Sequence, residues 1–182
     1  ALPILTHPME ELSGKTLGIF GYGSIGKRVA EIGAAFGMKV LVHTRTERPG
    51  CPFPYVDAHT LLSSADYLSL NAPLNAQTAR FINEESIREM KDGAVLINTA
   101  RGGLVDEEAL AAALRRGKLR AAGLDVLQSE PMASDCPLLG LPNCHITPHV
   151  AWAPEETRER LMQIVTENLK AFLEGTPRNR VC

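Results

Sequence analysis

The chain has 182 residues, enough for one sizeable domain with its own core and too few for two generous ones. Hydrophobic residues make up 45%, charged residues 22%, and the formal net charge is -2, so no general attraction to nucleic acid or to an anionic membrane surface is expected. No apolar run reaches a membrane span, the opening "ALPILTHPMEEL" lacks the basic start of a signal peptide, and four sparse cysteines without a Cys-x-x-Cys pair point to a reducing, cytoplasmic setting.

In chain order, "KTLGIF" (15–20) reads as a strand running into Gly21. "SIGKRVAEIGAAFG" follows as a helix, with Ile25, Val29, Ile32 and Phe36 at helical spacing and Gly37 as its stop. "KVLVH" is a second strand. Asp57 caps a short helix in "DAHTLLSSA", "DYLSLN" is strand three, "NEESIREMKDG" a capped helix and "AVLIN" strand four. "DEEALAAALRRG" carries acids in its first turn and arginines in its last, which suits the helix dipole. "LRAAGLDV" and "CHIT" are strands five and six. A last helix begins at Pro154, ends at Gly175 and is expected to bury Leu161, Ile164, Val165, Leu169 and Phe172. Strands alternating with helices, each strand apolar throughout, predict an α/β fold with a doubly wound parallel sheet and helices on both faces, a Rossmann architecture with one core.

Gly21, Gly23 and Gly26 form a Gly-x-Gly-x-x-Gly that follows a strand and opens a helix, the context that makes this motif specific for a dinucleotide. The first glycine permits the tight turn, the second lets backbone approach a pyrophosphate, and the third lets helix and strand pack closely. At the end of strand two an acidic residue would bind the ribose hydroxyls of NAD and repel a 2'-phosphate. Thr44 cannot repel one, Arg45 can pair with one, and Thr46 and Arg48 add a hydroxyl and a second cation. NADP is therefore favoured over NAD. Two alternatives stay open: Arg45 as a solvated loop cation, and Glu47 restoring an NAD-type contact if the loop folds back.

"ELSGKTLGIFGYGSIG", the run from "SLNAPLNAQTARF" through "NTARGGLVDEEAL" to "GLDVLQSEP", and "NCHITPHVAWAP" together resemble the nucleotide-binding domain of the D-isomer specific 2-hydroxyacid dehydrogenases, from about residue 11 to the C-terminus. Within that family "HVAWAP" is most similar to the glycerate dehydrogenases, or hydroxypyruvate reductases. The resemblance implies Arg101 as the clamp for substrate carboxylate and carbonyl oxygen, His149 as acid/base, Glu130 as partner of the histidine, and Asp125 as ligand of the nicotinamide carboxamide. It also implies cofactor contacts at Ser24, Ile25, Asn71, Ala72, Pro73, Thr78, Thr99, Ala100 and Ala151; Trp152 is expected to line the substrate pocket or to sit at a domain or subunit contact, the pocket being the favoured place.

The chemistry asks for these residue types. Reducing a 2-keto acid needs a proton delivered to the carbonyl oxygen, which histidine holds well near neutral pH, and a carboxylate clamp, which arginine provides with two parallel bonds. Taken alone, His149 would be a structural histidine and Arg101 a surface residue. Cys144, His145 and His149 have no fourth ligand close by, so no metal site is expected. The family usually has a histidine where this chain has Asn71. It also carries a substrate domain of about 100 residues that is expected to be absent on the N-terminal side. Residues 1–12 are then a remnant of a linker or dimerisation arm, 13–175 the Rossmann domain and 176–182 a tail. The expected partners are a small 2-keto acid and, in the intact enzyme, a second copy. A dinucleotide-sensing, corepressor-like module is the competing function.

Overall fold

The computed structural model describes residues 10–180; most of the arm assigned to residues 1–12, with His7, and the terminal Cys182 lie outside the described residues. The chain divides into two compact units, one ending at Thr147 and the other beginning at Pro148. In the first, strands β1 (Thr16–Phe20), β2 (Lys39–His43), β3 (Tyr67–Leu70), β4 (Ala94–Asn98), β5 (Leu119–Leu124) and β6 (Cys144–Ile146) alternate with helices α1 (Ser24–Ala35), α2 (Ala58–Ser64), α3 (Glu84–Glu89) and α4 (Glu107–Arg115). All neighbouring strands pair in parallel, in the order β2-β1-β3-β4-β5-β6. The order reverses between β1 and β3, which places a crevice beyond the carboxyl ends of those two strands.

Local chemistry sets the starts of α2, α3 and α4 close to where the sequence predicts them, whereas α3 ends at Glu89, short of the expected stop at Gly93, because Met90 turns to extended backbone. The Asp57 carboxylate accepts from the Thr60 amide, Asp106 from the Ala109 amide, and Asn83 closes a capping box with Ser86. Side chains alternate across β1. Leu17 and Ile19 join Tyr22, Ala30, Val40 and Val42 in one apolar cluster, whereas Phe20 joins the larger cluster built from α2, α3, α4 and the central strands. Leu61, Leu68, Leu96, Leu104 and Leu119 are fully buried in that larger cluster, each contributing about 1.5–3 kcal/mol over an exposed position.

Two helices depart from the pattern that their apolar residues suggest. The buried face of α1 is made of Gly26, Ala30 and Gly33, while Ile25, Ile32 and Phe36 of its apolar stripe are exposed, Ile25 at 66%. Close approach is the reason: a Cβ on Gly26 would stand 2.0 Å from the Gly21 oxygen, and one on Gly33 2.3 Å from a Leu17 methyl. The second unit holds one long helix, α5 (Glu155–Leu173). Leu161, Ile164, Val165, Leu169 and Phe172, expected to be buried, are all exposed on it, Phe172 at 69%, and only Ala171 is buried. A stripe at helical spacing records that a face is apolar, not that this stretch of chain covers it. No helix among the described residues is long and apolar enough to cross a membrane.

Candidate functional site

A cavity of about 570 Å³ opens beyond the ends of β1, β2 and β3. The glycine turn (Gly21, Tyr22, Gly23) forms one wall, His43 to Thr46 with Arg48 another, and Asn71, Ala72, Pro73, Asn75, Gln77 and Thr78 the third, with Phe20 and Phe81 at the base. Gly21, Gly23, Thr44, Arg45, Thr46, Asn71, Ala72, Pro73 and Thr78 of the expected cofactor set therefore share one cleft. Ser24 and Ile25 do not line it; they are exposed at the start of α1. Gly26 is buried behind it, holding the helix against the turn.

The turn has the build a pyrophosphate requires. Gly21 adopts φ +96, and a Cβ there would stand 2.6 Å from the Ala72 nitrogen; Gly23 has nothing within 4 Å of where a Cβ would be. Backbone is thus exposed to open space at Gly23. No side chain caps the N-terminus of α1 and no acid occupies its first turn, so its first amides and the positive end of its dipole are left for an anion. The third wall is stiffened by local bonds: the Thr78 hydroxyl donates to the Pro73 carbonyl at 2.7 Å, and the Asn75 amide donates to the same hydroxyl at 2.9 Å. The residues present fit a dinucleotide.

Sequence reasoning missed several lining residues. The Phe20 ring stacks on Phe81 with centroids 3.7 Å apart and on His43 at 5.7 Å, a three-ring base for the cleft. The His43 Nδ1 bonds the Val56 carbonyl oxygen at 2.9 Å. Tyr22, 4% exposed, meets Phe53 and Tyr55 edge to face, and burial pushes its phenol up to about 12. Its place inside the glycine motif was the available signal. His43, Phe20 and Phe81 belong to no motif.

A second group of turns lies at the ends of β4 and β5. Buried Asn98 donates from Nδ2 to the Arg101 carbonyl at 2.9 Å and accepts from the Ala100 amide at 3.0 Å, fixing the turn through Thr99 that presents Arg101. Arg101 is exposed, its Nη1 donating to the Ala100 carbonyl at 2.6 Å. A Cβ on Gly102 would stand 1.9 Å from the Leu127 carbonyl, so the Arg101 turn and the segment after β5 are in backbone contact. That segment carries Glu130, whose Oε1 accepts from the Leu127 amide at 3.0 Å. Arg101 and Glu130 are thus brought to adjoining turns. Asp125, buried at the end of β5, accepts from the Thr147 hydroxyl. In the second unit, His149 is exposed and takes φ +55; its carbonyl accepts from Trp152 Nε1 at 3.0 Å, while Ala151 and Trp152 lie exposed in the same turn.

Comparison with known proteins places this architecture. Residues 5–151 match the family described as D-isomer specific 2-hydroxyacid dehydrogenase, NAD binding domain. A hydroxypyruvate reductase of Blautia hydrogenotrophica is 47% identical over 178 residues, covering 96% of this chain and 55% of the relative. Among solved structures, an acyclic imino acid reductase in complex with NADPH and D-Arg superposes with TM-score 0.90 at 39% identity, over 98% of this chain and 59% of that one. A D-lactate dehydrogenase of Aquifex aeolicus complexed with NAD and lactic acid gives 0.82 at 41% identity, over 92% and 56%. The chain spans about half the length of the curated relatives it matches. With a parallel sheet in this order, a glycine turn at its switch point and this identity, the chain belongs to the D-isomer specific 2-hydroxyacid dehydrogenases and carries their NAD-binding domain.

Proposed function

We propose that the chain is the cofactor-binding part of an oxidoreductase that moves a hydride between NADPH, in preference to NADH, and a small 2-keto or 2-hydroxy acid of the hydroxypyruvate/glycerate or glyoxylate/glycolate type. The observation that carries the nucleotide assignment is the charge of the cleft. Arg45 and Arg48 line it with His43, Thr44 and Thr46, and no acidic side chain does; Glu47 lies outside the lining. A 2'-phosphate there meets two cations and two hydroxyls and no repulsion. The relatives compared are named as reductases and dehydrogenases, which gives a sensing role no support.

In this reading the nicotinamide, when bound, supplies the hydride. Arg101 binds the substrate carboxylate with two parallel bonds and polarises the keto oxygen. His149 donates its proton to that oxygen in reduction and accepts it in the reverse direction. Glu130 serves as the partner of that histidine, and Asp125 orients the carboxamide. The intact enzyme works as a homodimer, a state that light scattering on it would measure.

The test is a fluorescence titration with NADPH and NADH at low and high salt, on the native chain and on Arg45→Ala. NADPH binding that is tighter, weakens with salt and falls about tenfold in the variant supports the assignment. Equal, salt-insensitive binding of both nucleotides overturns the preference.

A further inference from the structure

The two cations of the cleft sit on a loop, 44–50, that is exposed from Arg45 onward. An exposed loop carrying charge sees a phosphate only if something holds it in place, because ordering it at the moment of binding subtracts from affinity. One side chain is positioned to do so. The Tyr55 hydroxyl accepts from the Arg48 amide at 2.9 Å and donates to the Arg48 carbonyl at 3.2 Å, satisfying both backbone groups of one residue with one oxygen. Tyr55 is itself anchored. It forms a parallel bridge with Val42, flanked by bonds from the Val42 amide to the Pro54 carbonyl at 3.0 Å and from the Val56 amide to the Val42 carbonyl at 2.9 Å. Its ring stands edge-on to Tyr22, 6.2 Å away, in the middle of the glycine turn.

We infer that Tyr55 is a positioning residue for nucleotide selectivity: it fixes the Arg48 backbone to β2 and to the glycine turn, and so presets the cationic loop for a 2'-phosphate. The inference rests on the NADPH reading above and adds to it a residue outside the cleft lining. Tyr55 touches no nucleotide atom in this scheme; its effect passes through Arg48.

Tyr55→Phe removes the oxygen and keeps the ring, so packing against Tyr22 survives. The probes are NADPH, NADH, and the fragments adenosine 2',5'-bisphosphate and ADP, titrated against the native chain and the variant. The expected result is about a fivefold loss of affinity for NADPH and the 2',5'-bisphosphate, from the loss of a hydrogen-bonded clamp worth about 1 kcal/mol net. NADH and ADP should change less than about twofold. Arg48→Ala keeps the clamp and loses the cation, and should weaken the same two ligands. A Tyr55→Phe variant that loses all four ligands equally makes Tyr55 a merely structural residue, and one that loses none shows that the clamp does not set selectivity; either overturns the inference. A native chain without NADPH preference overturns the underlying reading, and the inference with it. A preference of unchanged size in Tyr55→Phe overturns the inference alone.

Discussion

Gly21 and Ala72 lie so close that a Cβ on the glycine would stand 2.6 Å from the Ala72 nitrogen. The turn after β1 and the loop after β3 meet there backbone to backbone, and φ +96 at Gly21 is what lets the chain pass. Gly21→Ala should therefore cost at least about 2 kcal/mol in urea unfolding and weaken NADPH binding as well. Gly23→Ala should separate the two effects. With open space around that position, stability should stay within about 0.5 kcal/mol while dinucleotide affinity drops, since the new methyl occupies room that backbone leaves for phosphate.

Thiol reactivity should be ordered. Burial, helped by Cys136 and Glu107, pushes the Cys144 thiol up to about 11. Burial acts the same way on Cys51, but the Tyr22 hydroxyl, the Phe53 backbone, the Tyr55 hydroxyl and Lys27 outweigh it and hold that thiol below the usual 9.0. Native-state alkylation at pH 8, followed by peptide mass spectrometry, should label Cys51 well before Cys144. The reverse order would contradict this account of both environments.

Asp66 gives a pH signature. It joins β1 to the sheet floor, its Oδ2 accepting from the Thr16 amide at 2.7 Å and its Oδ1 from Lys91 at 3.0 Å. Burial raises its pKa, but these two partners lower it further, so the carboxyl ends below its ordinary 3.8. A depressed carboxylate stabilises the fold above its unfolded pKa, and that stabilisation is lost as pH falls through the folded value. Urea midpoints should thus fall between pH 5 and pH 2, and Asp66→Asn should flatten that fall.

For the catalytic assignment, the chain joined to the remaining length of a family enzyme should reduce hydroxypyruvate, while the 182 residues alone should bind nucleotide and turn over little. In the joined protein, His149→Asn should lower kcat about 100- to 10,000-fold with nucleotide affinity unchanged. Arg101→Lys should act chiefly on KM, because charge is kept and the paired geometry is lost. Unchanged kcat in the histidine variant would remove His149 from its role.

The fold was legible because glycines, caps and apolar strands all speak of local structure. Gly21, Asp57, Asp106 and Gly117 mark boundaries through interactions within a few residues, and the structure places the strands and helices between them. That the stripe on α5 is exposed was not legible, since periodicity shows an apolar face and not what covers it. On α1 the small residues rather than the large ones face inward, a consequence of how near the glycine turn draws the helix. In the cleft, Thr44, Arg45 and Thr46 were readable from their place after β2. The Phe20, His43 and Phe81 stack was not, because three rings from separate segments meet only through the sheet order.

The bridge between Val42 and Tyr55 also bears on how the chain behaves in a crowded solution. β2 is an outermost strand, and its outward amide and carbonyl at Val42 would otherwise offer a template for a passing strand. Residues 54–56 take up both, with Pro54 supplying an acceptor and no donor of its own. The stretch that clamps the loop thereby covers the sheet edge at Val42, where a strand from another molecule would otherwise pair.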